Sequence, residues 1–176
     1  MLMISIMDIE KSNQHSHAHK LLRECLKPYN ISYGENTPVS FGEHGKPYLA
    51  ERPDIRYNLS HADGIAACIV SDRECGIDCE KVRAYRPHAA KRVFSDNEQA
   101  LLANADEADH DLLFFRLWTL KEAFVKAIGV GVSYPMKTVE FSFNGSEIVC
   151  SEQGYSFRQY IIRNGSYIVS VCEKTR

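Results

Sequence analysis

The sequence predicts an α+β protein in which helices pack on a largely antiparallel sheet. Three observations carry that class. Residues 15–26 and 109–128 space their apolar side chains as helices do. Short β-branched or alternating runs surround them, at 65–70, 139–143, 155–162 and 167–172. Asn144-Gly145 and Asn164-Gly165 lie between neighbouring runs of the last group, and such turns join antiparallel strands. The element order permits two related α+β parts, residues 1–72 and 73–176, with a break near Arg73.

Taken in order, residues 3–7 predict a short strand. Residues 15–26 predict a helix with Leu21, Leu22, Cys25 and Leu26 on its apolar stripe. His15, His17 and His19 fall on its polar surface, with no carboxylate cluster beside them to suggest a metal. Lys27-Pro28-Tyr29-Asn30 ends that helix. Residues 36–54 are rich in Pro, Gly and charge and predict loop with short strand pieces. Strands follow at 57–60 and 65–70, Ser71-Asp72-Arg73-Glu74 interrupts, and a strand resumes at 77–82. Residues 87–93 predict a helix. Ser95 and Glu98 form a capping box ahead of Ala100, Leu101 and Leu102. The longest helix, 109–128, presents Leu112, Phe115, Leu120, Ala123 and Ala127, and Gly129-Val130-Gly131 stops it.

Composition narrows the function classes. The chain has 176 residues, 44% hydrophobic and 25% charged, enough for a core and unlike a disordered chain. A formal net charge of −2 gives no support to general nucleic-acid binding. No apolar stretch reaches membrane-spanning length. Residues 1–8 are apolar but lack the basic leader of a signal peptide. The 6 cysteines have no spacing that completes a zinc site, and a chain of this size does not need disulfides. Cys68, Cys150 and Cys172 read as buried thiols. A reducing cytoplasm is the simplest setting. One local charge stands out: Lys81, Arg83, Arg86, Lys91 and Arg92 run without an acid among them. Two readings stand for it, a solvated helix surface and a landing patch for an acidic partner.

The chemistry gathers in two segments. In Gly76-Ile77-Asp78-Cys79-Glu80 the two acids share one face of a strand. They repel unless a cation joins them, and Mg²⁺ bridges one or two carboxylates to phosphate. In Trp118-Thr119-Leu120-Lys121-Glu122-Ala123-Phe124-Val125-Lys126, Glu122 and Lys126 stand one helical turn apart. They are either a surface ion pair or a third metal oxygen with a phosphate-neutralising ammonium. Lys121 is a second candidate for phosphate, and Trp118 reads as packing. Ser60 and His61, in the turn after a strand, can donate to phosphate or assist its transfer as catalytic groups; a lone turn histidine is more often merely exposed. Gly45-Lys46-Pro47 is a rigid, positive turn that lacks the P-loop signature.

Together, Gly45-Lys46-Pro47, Tyr57-Asn58-Leu59-Ser60-His61, Gly76-Ile77-Asp78-Cys79-Glu80, the 118–126 segment and Gly129-Val130-Gly131 resemble the 4′-phosphopantetheinyl transferases, in their monomeric surfactin-synthetase-activating class. The resemblance covers roughly residues 41–135. It implies a pseudo-dimer of two similar α+β halves, the first shortened, with coenzyme A in the cleft. It implies transfer of 4′-phosphopantetheine from coenzyme A to a serine of an apo acyl or peptidyl carrier protein, leaving 3′,5′-ADP. Carriers of fatty-acid, polyketide and nonribosomal-peptide systems all remain open. Asp78, Glu80 and Glu122 would hold Mg²⁺. Glu122 would be the general base, directly or through water, and Lys126 would stabilise the pyrophosphate. Lys46, His61, Ser60 and Lys20 would meet the adenosine 3′-phosphate or its surroundings, with Pro47 and Lys121 also at the coenzyme. Arg83, Arg86 and Arg92 would steer the acidic carrier. Cys79 would point away from the metal and fill core. A monomer is implied, with a dimer left open. Two alternatives remain: a non-catalytic coenzyme A-binding relative, and another Mg²⁺-dependent enzyme acting on a nucleotide or diphosphate.

Overall fold

A computed structural model describes residues 1–6 and 13–176. Met7, predicted as the end of the first strand, lies outside the described residues. The first sheet has the order β1 (Leu2–Ile6), β5 (Ile65–Ser71), β4 (Arg56–Ala62), antiparallel throughout. All seven residues of β5 are buried, so the alternation expected of a one-sided strand is missing. Both of its faces are covered. Ala66, Cys68 and Val70 pack on Ala18, Leu22, Cys25 and Leu26 of helix α1 (Gln14–Leu26). Ile65, Ala67 and Ile69 pack on the second sheet, against Ile77, Cys79, Val169 and Val171.

The second sheet has the order β6 (Cys75–Lys81), β10 (Tyr167–Lys174), β9 (Tyr155–Ile162), again antiparallel. Helix α4 (His110–Ile128) covers its far face, with Leu117, Leu120, Ala123 and Ala127 in one core with Ile168 and Cys172. The layers therefore run helix, sheet, sheet, helix. Each sheet is wired alike: its first strand lies beside its last, a long helix follows the first strand, and its last two strands pair. A small hairpin sits between helix and closing pair in both, β2 (Val39–Phe41) with β3 (Pro47–Leu49), then β7 (Phe141–Asn144) with β8 (Glu147–Cys150). Helices α2 (Pro87–Val93) and α3 (Asp96–Ala103) are extra to the second.

Local signals mostly act as predicted. The Ser95 hydroxyl accepts from the Glu98 amide, and the Glu98 carboxylate accepts from the Ser95 amide, closing the capping box of α3. Gly129 ends α4 with φ 75°, a left-handed position. The last turns differ in detail. Asn144 pairs with Glu147, so the β7–β8 loop is Gly145–Ser146, with Gly145 at φ 60°. Glycine at the first central position is the II′ pattern, one residue on from the predicted dipeptide.

The free edge of β6 is closed by side chains rather than by another strand. The Ile77 amide donates to Asn58 Oδ1 at 2.9 Å, and the Cys79 amide donates to Ser60 Oγ at 3.2 Å. Side chains of β4 thus satisfy two β6 amides that face away from β10. On the same strand Cys75, Ile77 and Cys79 point into the core between the sheets, and Gly76 lies directly under α4. By the two-residue period of a strand, Asp78 and Glu80 face α4 as well.

Candidate active site

That parity brings three predicted acids and one base together. Asp78 on β6 is 6% exposed. Its Oδ1 accepts from Lys126 Nζ at 2.7 Å and from Ser60 Oγ at 3.0 Å. Its Oδ2 is buried with no hydrogen-bond partner among the described residues. Glu122, one helical turn before Lys126 on α4, carries no hydrogen bond or ion pair in the described structure. Lys126 has crossed to Asp78 rather than pairing along the helix, which removes the surface ion-pair reading. Glu80, half-buried at the mouth, accepts from Arg83 Nη1 at 2.9 Å.

The electrostatics describe an under-neutralised acidic cluster. Burial pushes the Glu122 carboxyl up, and the Asp78 charge and then the Glu80 charge push it further against the opposing pull of Lys126. Burial also raises Glu80, with Asp78 adding to it and Arg83 opposing. For Lys126 burial disfavours the charge, but Asp78 and then Glu122 outweigh it and the pKa is raised. One ammonium and one rim guanidinium face three carboxylates. Among the described residues no three such side chains already stand at ligating distance of one point. The orphaned Asp78 oxygen and the raised acids nevertheless fit a hard cation, which needs only one or two protein carboxylates beside a phosphate.

The structure corrects several sequence-based assignments. Lys121, predicted at phosphate, is 1% exposed and faces the opposite side of the helix. Its ammonium pairs with Glu98 at 2.7 Å and donates to the carbonyls of Met136 and Val139. All three protons are used in tying α4 to α3 and to the chain before β7. Lys46, predicted at the 3′-phosphate, is likewise saturated: it donates to Glu74 Oε2, Cys75 O and Ala127 O. It is a strut across the seam rather than an open cation. Ser60 gives its single proton to Asp78 and accepts from the Cys79 amide and Lys126, so it orients Asp78 instead of greeting phosphate. Arg83 is held by Glu80 and lies 4.9 Å over the Phe115 ring, part of the site's rim.

Pro47 lines a cavity of about 620 Å³ with Tyr48, Arg56, Tyr57, Glu74 and Gly129. Lys20 is exposed on α1. His61 is exposed at the end of β4, and its ring stands 6.1 Å from that of His15. His15 in turn lies 4.5 Å from His19, whose Nδ1 is 2.8 Å from the Tyr33 hydroxyl. His15 is exposed and His19 half-buried, so both lie on the polar surface predicted for them, with ring contacts the sequence did not suggest. Their spacing of four residues was the available signal. Asn58 and Glu98 were also missed: one acts by capping a strand amide, the other by receiving a buried lysine.

Residues 74–172 match the family described as the 4′-phosphopantetheinyl transferase superfamily. The family match spans β6 and α4. A 4′-phosphopantetheinyl transferase of Aneurinibacillus migulanus, gsp, is 33% identical over 133 residues, covering 76% of this chain and 55% of that protein. One from Bacillus subtilis is 36% identical over 111 residues, covering 63% and 47%. HetI of Nostoc sp. is 34% identical over 133 residues, covering 72% and 56%. The chain spans about half the length of these relatives. A solved holo-[acyl-carrier-protein] synthase of Thermotoga maritima aligns with TM-score 0.49 at 21% identity, over 58% of this chain and 64% of that one.

Proposed function

Because the chain belongs to the 4′-phosphopantetheinyl transferase superfamily, we propose that it moves 4′-phosphopantetheine from coenzyme A to a serine of an apo acyl or peptidyl carrier protein, releasing 3′,5′-ADP. The observation that carries this reading is the facing of Asp78 and Glu80 on β6 with Glu122 and Lys126 on α4, with one Asp78 oxygen left unpartnered among the described residues. In this reading residues 1–72 and 73–176 are the two halves, and coenzyme A lies at their seam. A single chain supplies both sides of that seam, which supports action as a monomer. The cavity beside Pro47, lined also by Lys46 and Arg56, suits the adenosine, and in this reading His61 and Lys20 meet its 3′-phosphate.

Asp78, Glu80 and Glu122 are the residues that would hold Mg²⁺; bound there, it supplies Lewis-acid stabilisation to the pyrophosphate oxygens. The remaining roles belong to side chains. Glu122 has no hydrogen-bond or ion-pair partner among the described residues and a raised pKa, which suits it to accept the proton of the incoming serine hydroxyl, directly or through water. Lys126 keeps its proton and neutralises charge that builds on the phosphates. Ser60 fixes the Asp78 carboxylate by one hydrogen bond. No helix among the described residues is long and apolar enough to cross a membrane. Free thiols at Cys25, Cys68, Cys75, Cys79, Cys150 and Cys172 support a reducing cytoplasm.

Intact-protein mass spectrometry tests the reaction. A panel of apo carriers incubated with the protein, coenzyme A and Mg²⁺ should gain the mass of phosphopantetheine, and chelation should prevent it. A folded protein that binds coenzyme A yet modifies no carrier would overturn the transfer step. The exposed Arg86 and Arg92 form the outer part of the basic run. Reversing both to Glu should raise the KM for an acidic carrier about tenfold, by loss of steering, and leave the KM for coenzyme A unchanged. Unchanged carrier kinetics would remove this patch from docking.

A further inference from the structure

The face of the second sheet that meets α4 is laid out in cross-strand rows. Cys172 lies between Gly76 and Phe157, and Ile168 lies between Glu80 and Ile161. The row between these two is polar from end to end: Ser170 is flanked by Asp78 on β6 and by Gln159 on β9. On the helix above, Thr119, Glu122 and Lys126 follow one another along a single stripe. Thr119 therefore stands on Ser170 one turn before Glu122, as Lys126 stands on Asp78 one turn after it. Thr119 and Ser170 are fully buried, with their hydroxyl oxygens 2.7 Å apart.

The hydrogen bonds around this pair leave the helix and return to it. Arg116 Nε donates to Gln159 Oε1 at 2.7 Å, and Gln159 Nε2 donates to Ser170 Oγ and to the Arg116 carbonyl, both at 2.9 Å. Thr119 donates its single proton to the Phe115 carbonyl at 2.8 Å, so the proton between the two hydroxyls belongs to Ser170. Both amide protons of Gln159 and both hydroxyl protons are thereby used. The apolar contacts beside them have no such direction. Where α4 lies closest to β6, the strand offers only Gly76 to the helix backbone at Ala123 and Ala127. No side chain of the strand projects there to stop the helix sliding or turning. A hydrogen bond, in contrast, weakens steeply once its geometry is lost.

We propose that Thr119 and Ser170, with Gln159 behind them, are positioning residues for the transfer: they fix the setting of α4 on the second sheet and with it the approach of Glu122 to Asp78. This rests on the proposed function, with Asp78, Glu80 and Glu122 as the acids that would hold Mg²⁺ and Glu122 as the base. Both hydroxyls are enclosed between helix and sheet, so they act through Glu122 and Asp78 rather than on a substrate. Asp78 ends the same row that Thr119 is tied to, so the acid and the base share one frame. Lys126 also ties α4 to Asp78, but the proposed reaction needs that ammonium at the phosphates. The Thr119–Ser170 bond lies outside the reaction and holds throughout it. Its loss should act on the chemistry and on the metal rather than on coenzyme A. A catalytic group displaced by about 1 Å loses up to about 10²-fold in rate. Removing the partners that support metal ligands loses about 10-fold to 100-fold in metal affinity.

Thr119→Val combined with Ser170→Ala removes both hydroxyls, keeps the shape of Thr119 and leaves no hydroxyl unpaired. With circular dichroism confirming the fold, kcat for carrier modification should fall about tenfold or more, while the KM for coenzyme A stays within about twofold of wild type. Mg²⁺ titrated alone and followed by thermal unfolding should require about tenfold higher concentration for the same gain in stability. Thr119→Ser separates positioning from packing, because it keeps the hydroxyl and loses a buried methyl. It should be less stable yet hold wild-type kcat and Mg²⁺ response. If the double variant does not fold, Ser170→Ala, which removes a single oxygen, should move both readouts the same way. Wild-type kcat and Mg²⁺ response in whichever of these two folds would overturn the proposal, as would a Thr119→Ser protein that loses as much as they do. A wild-type protein that neither responds to Mg²⁺ nor modifies a carrier would sink the functional reading itself, and the positioning role with it.

Discussion

Replacing Gly76 with alanine is expected to cost about 3 kcal/mol or more of stability and to remove activity at temperatures where the protein still folds. The added methyl would sit 2.1 Å from the Ala123 carbonyl oxygen and 2.4 Å from the Ala127 amide nitrogen. Both are backbone atoms of α4, so no side-chain rotation can make room. The helix would have to move off the strand. It cannot do so freely, since Leu117, Leu120, Ala123 and Ala127 are fully buried against the sheet. Gly76 has the parity of Asp78 and Glu80, so lifting α4 also separates those acids from Glu122 and Lys126. Urea unfolding of the purified variant measures the first effect. A midpoint equal to wild type would show that the close approach of β6 and α4 is not a constraint.

Glu122→Gln is expected to produce the opposite combination, a more stable ligand-free protein with transfer reduced by a factor of about 10³ or more. Burial and the charges of Asp78 and Glu80 raise the Glu122 pKa. A carboxyl raised on folding binds its proton more tightly in the folded state. At neutral pH its ionised form therefore opposes folding, and that opposition fades as pH falls through the raised value. The amide removes the repulsion but can neither take a proton nor hold a hard cation well. Thermal unfolding with and without Mg²⁺ separates the terms. Wild type should gain stability from the metal, and Glu122→Gln should start higher and gain little. A variant less stable than wild type without metal, or one with wild-type turnover, would remove Glu122 from the cluster.

The parts of this arrangement that sequence reveals are those with local physics. The strand period places Asp78 and Glu80 on one face, and the Ser95–Glu98 spacing marks a helix start before any tertiary contact forms. Lys121 shows where local reading stops. It adjoins Glu122 and looks as polar as Lys126, yet α4 is covered on two sides, and only the position of Glu98 decides which lysine goes inward. Glu98 could be read as a cap but not as a cap that also receives a buried ammonium. Lys46 fails for a related reason: two of its three acceptors are backbone carbonyls, which leave no mark in the sequence. The His15–His19 spacing was visible, but their meeting with His61 depends on how α1 crosses the first sheet.

The side-chain caps on the free edge of β6 bear on how the molecule comes apart. If the two sheets separated, the amides of Ile77 and Cys79 would lose Asn58 and Ser60, and Lys46 would leave its three acceptors on the other side of the seam. Each bond exchanged for water loses about 0.5–1.5 kcal/mol net, and the apolar layer of Ile65, Ile69, Ile77 and Val171 would be exposed as well. Neither sheet then has an inexpensive intermediate in which it stands alone. Unfolding should proceed as one cooperative event, with circular dichroism and Trp118 fluorescence reporting the same transition although Trp118 lies wholly on the second sheet's helix.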